Sequence, residues 1–491
     1  MQTVVATRHG RVQGEVQEGV ARFLGIPYAA TPDGPRRFQA PQPPEPWDGV
    51  RPATTLGATP PCPGYRPPTD QILYQPTIAG DDWLTANVWT PDPGRAGLPV
   101  MVWIYGGAFS NGNSAIPMYD GHPFARDGVV LVTFNYRLGV EGFAALPGAP
   151  ANRGLLDQVA ALEWVQDNIA SFGGDPTNVT IFGESAGAMS VTSLMTIPRA
   201  RGLFTRAITQ SGAVQAAADP ADAALVAHEL AAVLDREVSA PALRDVDPAV
   251  LIDAQRTVSD ALALDPDPAR FGATIVASSM AFIPAVDGDL IPEHPLHALE
   301  AGASSDVPLL TGTTTEEFRF FLVPAGIAAA TTDEVLAGVA AARGIPVEVV
   351  ELYRANRPGA SPGDVLSALL TDRYFRLPMH QVVQARGAAP SWVYEFAWPS
   401  DHFDLRAAHA VDIPFVFDAL EAKGADGLTG SNPPQKLADE MHQRWVRFAT
   451  CGDPGWPAYD EQRTVMVFDE TGGHEVHDPR GDERAALEST S

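Results

Sequence analysis

The sequence predicts an α/β fold: a mostly parallel central sheet flanked by helices, with helical insertions around the mouth of a site at one end of the strands. Three observations carry that expectation. Apolar, β-prone runs alternate with segments of helical spacing through much of the chain, the pattern of a sheet covered on both faces. At 178–195 the run NVTIF gives way to Gly183-Glu184-Ser185-Ala186-Gly187 and then to small apolar residues, which reads as strand, tight turn and helix. The apolar run 100–105 passes directly into Gly106-Gly107-Ala108-Phe109, a turn of small residues after a sheet strand.

Taken in order, residues 3–24 alternate apolar and polar around Gly10, Gly14 and Gly19, as short antiparallel strands do. Prolines recur too densely through 27–68 for helix or central strand, so an extended loop is expected there, pinned by Phe38, Trp47 and Tyr65. Runs 83–90, 100–105 and 129–136 read as core strands. The spacing of Leu156, Val159, Ala160, Trp164 and Ile169 predicts a helix over 155–172, stopped by Gly173-Gly174. Strands at 178–182 and 206–210 continue the alternation, which places the chemistry at the strands' carboxyl ends.

The alanine-rich segments 216–264 and 326–370 are helical and read as excursions above the sheet. A short strand at 307–310 leads toward Glu316-Glu317, and a strand at 391–398 leads into a loop carrying His402 and His409. Over 437–448 a helix sets Met441, Trp445 and Phe448 on one face, and the small, charged tail 478–491 is expected to fray. Length alone would admit about three domains. Elaborated α/β enzymes keep one long domain, and a single domain over 1–477 is the expectation.

Composition excludes several function classes. With 60 acidic against 33 basic residues and a formal net charge of -27, the chain lacks the clustered cations that a nucleic-acid backbone requires. No apolar run approaches membrane-spanning length, and the first residues hold charged and polar side chains instead of a continuous apolar h-region, so a soluble, cytoplasmic protein is expected. Cys62 and Cys451 have no metal-ligand spacing and are read as free thiols.

A serine attacks an acyl carbon only if its hydroxyl projects from the backbone beside donors that stabilise an oxyanion. A G-x-S-x-G match arises by chance in roughly one chain in six of this length. The placement of Ser185 between strand and helix is what distinguishes it, and the small turn 106–109 is positioned to supply the missing donors. Ser185 needs a base and an acid following it in sequence, in the order serine, acid, histidine. His402 and His409 both lie in a loop after a core strand, and Glu316 and Glu317 both follow a strand. Composition separates neither pair.

The chain resembles the type B carboxylesterases, α/β-hydrolases that include cholinesterases and bacterial para-nitrobenzyl esterases. The resemblance runs from Gly10 to about Tyr459 and includes FLGIPYA at 23–29, VWIYGGAF at 102–109, NYRLGVEGF at 135–143, GLLDQVAALEWVQDNIASFGGDPTNVTIFGESAGA at 154–188, GTTTEEF at 312–318 and HAVDIPFVF at 409–417. It implies a triad of Ser185, Glu317 and His409, with oxyanion donors on Gly107, Ala108 and Ala186. Ser211 matches a serine that supports the triad glutamate, and Glu184 a buried acid beside the nucleophile.

The implied reaction is hydrolysis of a small-molecule ester through an acyl-enzyme, without metal or cofactor. Phe109, Phe318, Phe320 and Phe321 suggest an apolar, aromatic-lined pocket, with core packing the safer reading for at least some of them at this spacing. A silent binding protein on the same scaffold is the rival from another class, and a thioesterase, amidase or transacylase would use the same atoms. Three departures stand out. Trp83 replaces the cysteine that would pair with Cys62, Phe318 follows Glu317 where glycine is usual, and Tyr105 stands where many bacterial members have histidine.

Overall fold

The apolar runs pair into one large sheet in a computed structural model that describes residues 2–490 apart from Val238. Its strands are β1 (Gln2–Thr7), β2 (Gly10–Gln17), β3 (Val20–Pro27), β4 (Val50–Pro52), β5 (Thr85–Thr90), β6 (Leu98–Ile104), β7 (Val130–Phe134), β8 (Gly174–Glu184), β9 (Arg206–Gln210), β10 (Leu309–Thr314), β11 (Ser391–Phe396), β12 (Thr464–Asp469) and β13 (Gly472–His477). The order is β1-β2-β3-β5-β7-β6-β8-β9-β10-β11-β12-β13, with β4 beside β2. From β7 to β12 every neighbour is parallel, while the β1-β2-β3-β5-β7 end and the β12-β13 hairpin are antiparallel.

Strand order explains where the site falls. After β6 the chain crosses to β7 on one side, then returns through the helix Arg153–Asn168 to β8 on the other side. The connections leave β6 in opposite directions, so its carboxyl end is a switch point where a crevice opens. Every residue of β5 and β7 is buried, as is β6 apart from Pro99, because helices or loops cover both faces. That burial is why these strands read as continuous apolar runs.

Helix starts follow local chemistry. Three repeat an Asp-Pro-Ala sequence, in which the Asp side chain accepts the backbone N-H two residues on and proline fills the first helical turn: Asp219 to Ala221 at 2.9 Å, Asp247 to Ala249 at 2.8 Å and Asp267 to Ala269 at 2.8 Å. They open Pro220–Leu234, Pro248–Leu264 and Pro268–Phe271. The later excursion holds Ile327–Ala330, Asp333–Ala342, Val347–Ala355 and Pro362–Thr371, built around an apolar cluster of its own that includes Leu336, Tyr353 and Leu369.

The tail expected to fray is helical over part of its length. Residues Gly481–Glu488 form a helix whose Leu487 joins that same cluster. Its Glu483 is fully buried and accepts hydrogen bonds from Arg357 Nη1 at 2.5 Å, Arg357 Nη2 at 2.9 Å and Asn356 Nδ2 at 2.8 Å. Glu483 is matched by Arg357, distant in sequence, which a reading of the tail alone does not reveal. Among the described residues no helix is long and apolar enough to cross a membrane.

Candidate active site

The turn after β8 holds Ser185 at φ 54°, ψ −123°, a positive-φ conformation outside the left-handed helical region that a non-glycine residue adopts only under constraint. The constraint is visible around it. Its N-H donates to Gln210 O at 2.9 Å on β9, and its carbonyl accepts Met189 N-H at 2.9 Å in the helix Ala186–Leu194. A Cβ on Gly187 would stand 1.9 Å from the Ile104 carbonyl oxygen of β6, so only glycine lets helix and strand approach this closely.

The turn after β6 packs against this elbow. A Cβ on Gly106 would lie 2.7 Å from Glu184 O and 3.0 Å from Ser185 Cβ. Ala108 and Phe109 both take positive φ, and Phe109 O is held by Gly139 N-H at 2.7 Å. Gly107, Ala108 and Ser185 line one pocket of about 410 Å³, which His409 and Glu184 also enter.

Geometry separates the candidates that composition left tied. His409 Nδ1 lies 2.6 Å from Glu317 Oε2, and Glu317 Oε1 accepts Thr314 N-H at 2.8 Å, with Glu317 fully buried. Glu316 instead faces Arg406 at 3.4 Å. His402 sits in a short turn, its ring against Phe403, and does not line the pocket.

One expectation changes, and Phe109 takes the core-packing alternative. Ser211 Oγ is buried and makes no hydrogen bond among the described residues; Glu317 is held by Thr314 and His409, so the support implied for Ser211 is not formed. Phe109 packs edge-on against Phe143 at 5.0 Å between ring centres and is not part of the pocket wall. Tyr105 is likewise fully buried, stacked on Tyr136 at 4.5 Å.

Phe318, Phe320 and Phe321 do line the pocket, joined by Tyr374 and Phe375, which the sequence reading missed. The two lie in a π-helical turn, Asp372–Arg376, between Pro362–Thr371 and Leu377–Ala385. Phe375, Phe321 and Phe320 surround the His409 imidazole at 4.9, 5.4 and 5.9 Å between ring centres.

The electrostatics centre on His409. Its Nε2 comes within 3.1 Å of Glu184 Oε1, but that oxygen accepts no hydrogen bond, so the approach lies off the N-H axis and acts as a charge contact. Burial opposes the imidazolium, yet Glu184, Glu317 and Asp412 outweigh it and raise the His409 pKa to about 9. Burial pushes Glu184 up to about 8, against the opposing pull of His409. Asp412, also buried, is raised to about 6; its Oδ2 accepts from Tyr394 OH at 2.9 Å and Gln210 Nε2 at 3.1 Å.

Among the described residues, no group of three or more His, Cys, Asp or Glu side chains is placed to hold a metal. Cys62 and Cys451 are unpaired.

A serine elbow at the carboxyl ends of such a sheet, beside a buried carboxylate and imidazole, defines an enzyme of the α/β-hydrolase class. A model of the carboxylesterase family matches residues 1–477, and the chain belongs to that family. It is similar to the para-nitrobenzyl esterase of Bacillus subtilis (strain 168), with 36% identity over 99% of this chain and 98% of the relative. The fumonisin B1 esterase of Sphingopyxis macrogoltabida is 34% identical over 94% of this chain and 85% of its own length. In a crystal structure, a Geobacillus stearothermophilus carboxylesterase superposes with a TM-score of 0.85 at 37% identity, covering 99% of each chain. The protein is a serine carboxylesterase, hydrolysing carboxylic esters to acid and alcohol.

Proposed function

We propose that Ser185 is the nucleophile, His409 its general base and Glu317 the group that fixes the base, with the N-H groups of Gly107, Ala108 and Ala186 holding the oxyanion. The observation that carries this reading is the convergence of Ser185 and His409 on one pocket while Glu317 sits 2.6 Å from the other imidazole nitrogen. With Nδ1-H donated to Glu317, Nε2 is the free base. It takes the Ser185 proton as Oγ attacks the ester carbonyl, then returns that proton to the departing alcohol. Water repeats the sequence on the acyl-enzyme and releases the acid.

The substrate reading is a small, apolar or aromatic ester. A pocket of about 410 Å³ walled by Phe318, Phe320, Phe321, Tyr374 and Phe375 supports it, being within the usual range for small-molecule sites. One domain over residues 1–477 carries the reaction, and two unpaired thiols suit a reducing compartment such as the cytoplasm. Ser185→Ala is expected to abolish p-nitrophenyl acetate hydrolysis and labelling by an organophosphate. Full turnover by that variant would overturn the assignment.

A further inference from the structure

Tyr65 lies in the proline-rich stretch between β4 and β5. A tyrosine that only tethers a loop buries its ring and satisfies its hydroxyl on the protein. Tyr28 does so, donating to Asn135 O at 2.6 Å, and Tyr136 does so, donating to Tyr105 O at 2.8 Å. Tyr65 behaves differently. Its side chain lines the same pocket as Ser185, and its hydroxyl makes no hydrogen bond to any described residue. The hydroxyl oxygen stands 3.1 Å from where a Cβ on Gly107 would lie, against the very turn that follows β6. An unused donor is thus held on a folded wall next to the place where ester oxygen gathers charge.

We propose that the Tyr65 hydroxyl donates a hydrogen bond to the acyl oxygen of the bound ester as that oxygen becomes an oxyanion, adding a side-chain donor to the backbone ones. The inference rests on the reading of Gly107 as an oxyanion donor. A phenol suits the task because it stays neutral: burial and the neighbouring Glu184 hold its pKa far above the ordinary tyrosine value, so it remains a donor across the working range. A donor aimed at developing charge in a water-poor site acts more strongly in the transition state than on the ground-state carbonyl.

The test is Tyr65→Phe, which removes one oxygen and keeps the ring. Because that oxygen bonds nothing in the protein, the fold is expected to be unaffected. Rates on p-nitrophenyl acetate are normalised to the fraction of serine labelled by an organophosphate, and binding is measured for a trifluoromethyl ketone that forms a hemiketal oxyanion on the serine. The expected result is a fall of about a hundredfold in kcat/KM, mostly in kcat, with a matching loss of ketone affinity. An unchanged kcat, or a change confined to KM with ketone affinity intact, overturns the proposal.

Should the Phe variant fail to fold, 3-fluorotyrosine at position 65 keeps the shape and makes the hydroxyl a better donor. It is expected to tighten the ketone, and unaltered affinity overturns the proposal in that case. Failure of the underlying esterase reading looks different, since Ser185→Ala would then retain activity whatever occupies position 65.

Discussion

The His409 imidazole faces three buried carboxyl groups, on Glu317, Glu184 and Asp412, and the balance among them sets the pH at which the residue becomes a base. Its lift depends on Glu184 being ionised, whereas burial drives Glu184 toward its neutral form, so the two groups compete for one proton and titrate as a pair. On the proposed mechanism the imidazolium is inactive, so kcat/KM is expected to rise as pH climbs through the pair's apparent pKa. The half-maximal pH is expected above the ordinary histidine value of about 6.5, because Glu184, Glu317 and Asp412 together outweigh burial at His409. Glu184→Gln removes the largest influence raising His409, and the acid limb is expected to move to lower pH. A profile of kcat/KM against pH for both proteins checks this, and coincident midpoints would contradict it.

Two of the segments shared with the family meet in a single buried ion pair that joins a loop to a helix. Arg137 follows β7, Asp157 lies in Arg153–Asn168, and the guanidinium binds the carboxylate through Nε at 2.8 Å and Nη2 at 2.7 Å, with side-chain exposures of 1% and 0%. The next residues of the loop reach Gly139, whose N-H holds Phe109 in the turn after β6. Asp157→Ala leaves a guanidinium buried without its charge partner, and a loss of about 3 kcal/mol or more in unfolding free energy is expected. Denaturant unfolding measures it, and a stability within about 0.5 kcal/mol of the parent, the range of ordinary surface substitutions, would show that the pair is dispensable. Elements such as these were legible to different degrees for physical reasons. Strands buried on both faces announce themselves as apolar runs, and Asp-Pro-Ala marks helix starts by its own hydrogen bond. The hairpin strand β13 carries an exposed, polar pattern in GGHEVH and left no such signal. The terminal helix hides its buried Glu483 among other charges, and the π-helical turn that brings Tyr374 and Phe375 to the pocket has no residue signature. The Ser185 turn was readable because its glycines are required by close approach to β6, whereas choosing His409 over His402 needed either three-dimensional placement or the family resemblance. In sequence Tyr65 reads as a tether, because ring burial is the commoner use of an aromatic in a proline-rich loop.

At the scale of the whole molecule the governing quantity is a net charge of -27, against which one guanidinium, Arg343, stands in the pocket wall. Among the described residues Arg343 has no carboxylate partner; its side chain donates only to Val339 O at 3.4 Å. Magnitudes decide which of the two an arriving anion feels. For a sphere of radius about 25 Å, as a chain of this size implies, a charge of this size repels a monoanion at the surface by about 2.5 kcal/mol at 0.01 M salt and about 1 kcal/mol at 0.15 M. A single cation about 8 Å away in water attracts by only about 0.5 kcal/mol. The global field therefore wins at low salt and fades as salt is added. For an anionic ester such as p-nitrophenyl hemisuccinate, kcat/KM is expected to rise by up to about tenfold between those two salt concentrations, while neutral p-nitrophenyl butyrate stays flat. A fall for the anion would mean that Arg343 and its surroundings outweigh the rest of the surface, and an equal response of both esters would mean that salt acts on the enzyme's conformation instead of on substrate approach.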